Sequence, residues 1–507
     1  MNLEAYQLFF ENISAQSMLQ LTIGIVIFVV GMYFYSFKKS AIWYYSCFFI
    51  GTVMIGLGFS TIADYLFAWD EQFHAVVAKS MLNNPFKPIL FEEKYHLGYQ
   101  YWSANHIWLH KQPLFLWQIA TSYKIFGVNL LSLRLPSIVL HAATTVLVLS
   151  IAKRYLKPYL ALLAATLFAF SDFRLGMVCG SIGMDHNDIA FGFYITASFW
   201  AWMKYQESKR FKWIVWIGVF CGAAILCKWL VGLVVFSGWG IVLMSTELKS
   251  KTAWRHIFTS LLIAFMVAMP WQVFCYINYK REFLYEMNYN SLHFFEGLEG
   301  HTGDGFFYFQ GMFDLYGQGF LVPVIIFFGL LLMLSIGIFK RNYYFIFGAS
   351  VFIIVFGFFT IAATKMTAYI SITMVFGYIA LLLPFNYINW KVGRNLKFFN
   401  PKILKFVLPV LLLFVSFLFV RIKKINHRFC FEDKTYLSWI KGKTDYALSE
   451  IRKDNNPSEI YFIKDGRTMN IAVRLRFHTD YTVFPYNPSQ PIKHIGKLID
   501  VDGKGEN

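Results

Sequence analysis

Apolar runs alternate with polar breaks along almost the whole chain, and the length of each run is the first clue to what it forms. Crossing the hydrocarbon of a bilayer takes roughly 17 to 25 helical residues. Runs of about that size lie near 18–36, 41–62, 133–151, 158–178, 187–203 and 213–227, and again near 229–246, 256–276, 318–338, 343–362, 366–386 and 403–420. The pattern predicts about twelve transmembrane helices. Three polar stretches, 63–132, 277–317 and 421–507, are too long to be turns, and loops of that length usually carry function. In the first, Glu71 to Leu82 sets Phe73, Val76, Val77 and Met81 on one helical face, opposite Gln72, His74 and Lys79. Pro113 to Phe126 starts with proline in a first turn and stops before Gly127, as helices prefer. At roughly 20 Å it is too short to span and suits the membrane interface. In the tail, a helical period over Tyr436 to Ile451 gives way to strand-like stretches at Glu459 to Ile463 and Tyr481 to Tyr486. The expected fold class is an all-α polytopic membrane protein, with a transmembrane domain over 1–420, interfacial helices in its first outer loop, and a small extracytoplasmic α/β domain over 421–507.

Composition agrees with that reading and removes others. Hydrophobic residues make up 57% of the 507 positions and charged residues 15%, against about 25% charged in an average soluble domain. A soluble or disordered chain is excluded. The net charge of +17 does not imply nucleic acid, because Lys and Arg sit in short clusters between apolar runs. They act as topology signals. Lys38-Lys39, Lys153-Arg154, Lys209-Arg210, Lys249 with Lys251, Lys340-Arg341, and Lys391 with Arg394 all fall on one side of the predicted spans. That side is cytoplasmic by the rule, so both termini and the three long polar stretches face outward from a cell (inner) membrane. The first 17 residues hold no Lys or Arg, which disfavours a cleaved signal peptide. Arg421, Lys423 and Lys424 run against the rule. Five of six cysteines lie inside or directly beside apolar runs, so no disulfide framework follows.

Taken singly, the polar candidates have ordinary readings. Asp70 suits an N-cap and Glu71 a helix dipole. Lys111, beside Pro113, suits a snorkelling interfacial anchor, and Arg134 a flanking cation. His106 and His110 are four apart, and His293 and His301 share another outer loop. They leave room for a divalent metal, with hydrogen-bonded histidine as the alternative. No other cofactor follows from the sequence.

The company these residues keep changes the picture. In order and spacing the chain resembles the GT-C class of lipid-linked-sugar glycosyltransferases, in the branch holding protein O-mannosyltransferases and the lipid A aminoarabinose transferase. WDEQFHAVVAKSML is similar to that family's acidic-pair segment, HKQPLFLWQ to its Lys-Pro-Pro segment, and FGVNLLSLRLPSIV to its Arg-Leu-Pro stretch. SIGMDHNDIAF resembles its second-aspartate segment, with Asp185 in place, and GVFCGAAILCKWLVG its outer lysine, here Lys228. HFFEGLEGHTGDGFFYF resembles its histidine-containing outer loop, matching His301, and ATKMTAYI its Thr-Lys then Tyr segment, matching Lys365 and Tyr369. Three positions depart. Gln112 replaces the first proline, Trp229 replaces a glycine, and His293 stands near a usual arginine.

The resemblance implies a polyprenyl-phosphate sugar donor, a glycolipid, glycan or protein acceptor, and membrane lipids as surroundings. A leaving phosphate needs cations, not a general acid, as charge builds on its oxygens. Lys111, Lys228, Lys365, the Tyr369 hydroxyl and His293 are the expected phosphate contacts. A hydroxyl acceptor needs its proton removed during attack, so Asp70 is expected as base or acceptor-orienting residue with Glu71 in support. Arg134, Asp185 and His301 are further site candidates. The rival readings are a secondary transporter, whose ionisable residues would gather at the bilayer midplane, and a membrane-anchored scaffold, which needs far fewer spans.

Overall fold

The computed structural model describes residues 3–92, 102–182, 185–246, 248–317, 319–387, 401–454, 456, 458–465, 470–486 and 496–502. Helices dominate. The first two apolar runs form the antiparallel pair Ala15–Ser36 and Ala41–Ser60, which pack backbone to backbone. A Cβ at Gly24 would lie 2.8 Å from the Ile55 backbone nitrogen, and one at Gly51 2.8 Å from that of Phe28. Small residues are what permit such approach where lipid supplies no hydrophobic drive.

Among the described residues, eight helical runs are long and apolar enough to cross a membrane, or nine if the pair Pro158–Ala169 and Asp172–Val178, bent by 44°, is one crossing. The longest run covers 36 residues, from Phe211 to Thr246. Straight, it would measure about 54 Å, against an apolar core of about 30 Å. It does not run straight. Trp229 adopts φ 57°, and Gly232 folds back against the backbone of Ala224 and Ile225, leaving Lys228 at the tip of a hairpin. The expected spans 187–203 and 403–420 fall in helices Asp185–Ser208 and Pro401–Leu418.

The basic turns among the described residues meet at one end of the bundle, and Lys391 and Arg394 lie outside the described residues. Lys153 donates to the hydroxyls of Tyr44 and Tyr45 at 2.9 and 3.2 Å, Arg154 pairs with Glu207, and the Lys157 N–H bonds Asn386 at 3.0 Å. The candidate residues lie at the opposite end. Arg421, the exception to the charge rule, is an ion pair and not a topology signal. It donates to Asp172 at 3.1 and 2.5 Å and to Asp314 at 2.6 Å.

The tail builds a three-stranded parallel sheet, with β1 (Ile460–Lys464) between β2 (Thr482–Pro485) and β3 (Lys497–Asp500). Parallel neighbours need a crossover, and helix Asn470–His478 supplies the one from β1 to β2. Helix Thr435–Asp454 shares the core through Ala447 and Ile451, packed with Tyr461, Ile463, Ile471 and Val483. β3 escaped sequence reading because it is four residues long with only Ile499 buried.

This unit rests on helix Asp70–Ser80. Lys79 donates to the carbonyls of Arg476, Phe477 and Thr479 at 3.0, 3.3 and 2.7 Å, and Arg476 pairs with Glu92 at 2.7 and 2.9 Å. The helix expected to lie amphipathic on the membrane surface is therefore covered on both sides, and its supposedly wet residues Gln72 and His74 are buried. Helix Leu114–Phe126 does keep an exposed apolar end at Ile125 and Phe126, as an interfacial helix should.

Candidate active site

The chain enters helix Asp70–Ser80 through Trp69 at φ 74° and ψ −133°, a backbone region almost reserved for glycine. Successive helical residues point about 100° apart, so Asp70 and Glu71 diverge. Glu71 faces Arg134. The guanidinium donates to Glu71 at 2.8 and 3.1 Å and to the carbonyls of Ser60, Ala63 and Tyr65 at 2.7, 2.9 and 2.8 Å, which uses all five of its N–H groups. The second Glu71 oxygen also accepts the Phe67 N–H at 2.7 Å. Burial pushes the Glu71 carboxyl up, but Arg134 and His186 outweigh it and hold the group down to about 2, ionised at neutral pH. Gly180 closes the pocket at φ 76°, where a Cβ would stand 2.2 Å from a Glu71 oxygen. Glu71 and Arg134 thus form a saturated clamp. It ties helix Leu130–Ala152 to the end of helix Ala41–Ser60, and neither residue is among those lining the cavity that Asp70 faces.

Asp70 faces a different environment. Its carboxylate lies 3.7 Å from the Lys111 ammonium, and both line a cavity of about 70 Å³ together with Lys228, His293, Glu299 and Tyr369. That cavity adjoins a cleft of about 180 Å³ lined by Phe191, Val231, Phe294, Phe358 and Phe359. Lys228, Trp229, Asn290, His293 and Tyr369 belong to both. A polar chamber and a greasy groove thus meet at one cation and one phenol. Lys228 donates to both Asp188 oxygens at 2.7 and 2.9 Å and stands 4.7 Å over the Tyr369 ring. The Trp229 backbone, at φ 57° and ψ −158°, explains why a glycine is usual there.

Lys365 and His301 are not among the residues that line the cavity. Lys365 is buried and donates to the carbonyls of Thr360 and Ala362 at 2.8 and 2.7 Å, capping helix Tyr343–Ile361. His301 accepts the Lys365 N–H through its carbonyl at 2.9 Å, a loop-holding contact. His293 lines both spaces with Nδ1 3.1 Å from the Thr364 hydroxyl, and burial lowers it to about 4, a neutral imidazole at pH 7. Asp185 opens helix Asp185–Ser208, while its side chain lies outside the described residues. His106 bonds the Phe91 carbonyl at 2.5 Å and His110 the Glu286 carboxyl at 3.2 Å. Among the described residues no group of three or more His, Cys, Asp or Glu could hold a metal ion.

Sequence reasoning missed three acidic residues. Asp188 lies one helical turn beyond Asp185 in the same segment, so spacing could have raised it. Glu286 stands mid-helix, where burial raises its carboxyl to about 8. Glu299 sits on a loop at φ 56°. No periodicity announces either of those two.

The profile of the dolichyl-phosphate-mannose-protein mannosyltransferase family matches residues 110–274, a stretch holding Lys111, Arg134, Asp188 and Lys228. The undecaprenyl phosphate-alpha-4-amino-4-deoxy-L-arabinose arabinosyl transferase of Pseudomonas aeruginosa (strain UCBPP-PA14) is 28% identical over 166 residues, 31% of this chain and 28% of the relative. The first curated relatives are matched over only 28 to 40% of their length. Among solved structures, ArnT from Cupriavidus metallidurans bound to undecaprenyl phosphate superposes with TM-score 0.61 at 14% identity, over 87% of this chain and 86% of that one. The archaeal oligosaccharyltransferase AglB from Archaeoglobus fulgidus, in complex with an inhibitory peptide and a dolichol-phosphate, gives 0.54 at 11% identity, over 88% and 65%. The fold is therefore that of the GT-C membrane glycosyltransferases, as the motif order implied, and the homologous stretch is shared with transferases named for lipid-linked sugars.

Proposed function

We propose that this polytopic membrane protein transfers a sugar from a polyprenyl-phosphate donor to an acceptor at the extracytoplasmic face, with residues 421–507 forming a separate domain on that side. One observation carries the reading: Asp70 and Lys111 share a polar cavity that opens, through Lys228 and Tyr369, into an apolar cleft. A lipid-phosphate sugar has the same sequence of chemistries, with a carbohydrate, an anion and an isoprenoid tail. The sidedness rests on the basic turns gathered at the far end. A transporter reading finds less support, because the cavity residues stand at helix ends and outer loops and not at midplane.

In this reading the phosphate sits between Lys111, Lys228 and the Tyr369 hydroxyl. Asp188 takes two of the three Lys228 N–H bonds and aims the third. As the glycosidic bond breaks, both electrons stay on the phosphate oxygen, where cations stabilise the growing charge. Asp70 stands beside this centre and orients a hydroxyl acceptor or takes its proton during a single displacement. A phosphate acceptor would need only the orientation. Glu71 and Arg134 act at one remove, by fixing the helix that carries Asp70.

The test is release of polyprenyl phosphate from a labelled lipid-phosphate sugar by purified protein. Release should require added acceptor, and mass spectrometry of lipid A and secreted glycoproteins from cells with and without the protein should name the product. Intact donor after prolonged incubation with every acceptor class would overturn the proposal.

A further inference from the structure

Among the described residues Glu299 is the only carboxylate besides Asp70 that lines the polar cavity, and its position is built. The residue holds a left-handed backbone, φ 56° and ψ 25°, which side chains disfavour. One oxygen, Oε1, accepts both the Trp102 indole N–H and the Tyr289 hydroxyl, the latter at 2.6 Å. Trp102 in turn stacks on His110, with ring centroids 4.3 Å apart and planes 8° from parallel, and His110 precedes Lys111 in sequence. The two donors come from different outer loops, so the carboxylate is fixed from both sides. The other oxygen, Oε2, has no partner among the described residues.

Its location separates the parts of a bound donor. The apolar cleft shares Lys228 and Tyr369 with the cavity, whereas Glu299 lines the cavity and not the cleft. A phosphate belongs at the shared end, beside the ammonium and the phenol. Next to Glu299 it would be repelled. The part of the donor that reaches Glu299 is then the carbohydrate. We propose that Glu299 is a specificity-determining residue that reads the transferred sugar, its Oε2 accepting hydrogen bonds from O–H or N–H groups on the ring. This rests on the glycosyl-transfer reading and adds which residue selects the sugar and by what chemistry. A carboxylate that can only accept favours a sugar with a free hydroxyl or an ammonium over one acylated or deoxygenated there.

Binding to the full chain in detergent or nanodiscs tests the idea, with three probes: polyprenyl phosphate alone, the same lipid carrying a neutral hexose, and the same lipid carrying a 4-amino-4-deoxy pentose. Glu299→Gln keeps an oxygen for Trp102 and Tyr289 while removing the charge. It should weaken binding of a sugar-bearing lipid about tenfold or more and leave the sugar-free lipid unaffected. A larger loss for the amino sugar identifies an ammonium as the partner, and equal losses for both sugars identify hydroxyls. Tyr289→Phe, which frees one bond to Oε1 and spares the charge, should show the same selectivity at smaller amplitude. The proposal is overturned if Glu299→Gln weakens sugar-free and sugar-bearing lipids alike, or neither. Should wild-type protein bind the sugar-free lipid with no preference for a sugar-bearing one, sugar reading falls and the lipid-phosphate reading stands. Failure to bind any of the three overturns both.

Discussion

Asp70 and Glu71 are neighbours in sequence and opposites in structure. Glu71 has its oxygens taken by Arg134 and the Phe67 N–H, and Arg134 has every N–H in use. Asp70 stands 3.7 Å from Lys111, beyond a hydrogen bond, with a cavity between them and the next cation. Both carboxylates are buried, so burial does not separate scaffold from chemistry. Saturation of the Glu71 clamp and the cavity wall at Asp70 do. A buried pair whose every guanidinium proton is used holds a shape, whereas a pair set 3.7 Å apart on the wall of a cavity stands where a ligand can reach it.

The contrast is broken most severely from the clamp side. Glu71→Ala leaves the Arg134 guanidinium buried without its charge partner, a change that typically costs about 3–5 kcal/mol. Thermal unfolding of the purified protein should show a collapse in midpoint, with activity lost alongside. The same pair sets an acid limit. Because the folded carboxyl is held to about 2 against an ordinary 4.5, its stabilisation is complete above pH 4.5 and disappears as pH falls from there through 2. Titrating from pH 8 to 6 should not touch it. A Glu71→Ala protein that melts with the wild type would show that the clamp holds nothing.

From the cavity side the expected signature is reversed. Asp70→Asn keeps shape and removes charge, and should lower transfer to a hydroxyl acceptor by about 10²–10⁴-fold while the melting midpoint stays in place. Initial rates and a melt on the same preparation separate the two residues. Equal effects on stability from both substitutions would erase the distinction. A normal rate in Asp70→Asn with a phosphate acceptor, and a slow one with a hydroxyl, would sharpen it, since only the hydroxyl loses a proton.

Which neighbour does which was beyond the sequence. The motif series marked Asp70, Lys111, Lys228 and Tyr369, and the fold brings these four to one cavity because apolar runs of fixed length deliver their ends to the same surface. The adjacent pair read as a unit, because a sequence does not say which way a helix turns on its axis once a second layer covers it. That layer is the C-terminal sheet unit, whose contacts with Lys79 and Glu92 connect residues about 400 positions apart. The family-matched Lys365 illustrates the converse. Its position is where the motif puts it, yet nearby carbonyls take its ammonium before any phosphate does. Glu299 had no signal at all, since its role depends on a backbone turn and on two donors from distant segments.

Gly180 offers a subtler way to disturb the clamp. Any side chain there meets a Glu71 oxygen at 2.2 Å and must also adopt φ 76°. Gly180→Ala should therefore destabilise by about 1–3 kcal/mol, less than loss of Glu71 itself, because the ion pair can shift and survive. Lowered unfolding temperature with turnover per folded molecule unchanged is the expected pair of results. An unaltered melt would mean that Glu71 has slack, against the saturation argument.

The smallest effect belongs to Lys111, and it tests the other half of the comparison. Lys228 is already neutralised in part by Asp188 at 2.7 Å, so a phosphate bound at the junction draws on Lys111 for charge that Lys228 cannot supply. Lys111→Ala should then raise the donor KM about tenfold, with kcat falling as far as the cation also stabilises the leaving phosphate. Lys111→Arg keeps the charge but presents a planar fork in a cavity of about 70 Å³, so it should recover only part of the loss. Rates over a series of donor concentrations for the three proteins distinguish these outcomes. If Lys111→Ala lowers kcat and leaves KM alone, Lys111 serves to position Asp70 and the phosphate is held by Lys228 and Tyr369 without it. In that case the gap between Asp70 and Lys111 is an acceptor site rather than a donor site.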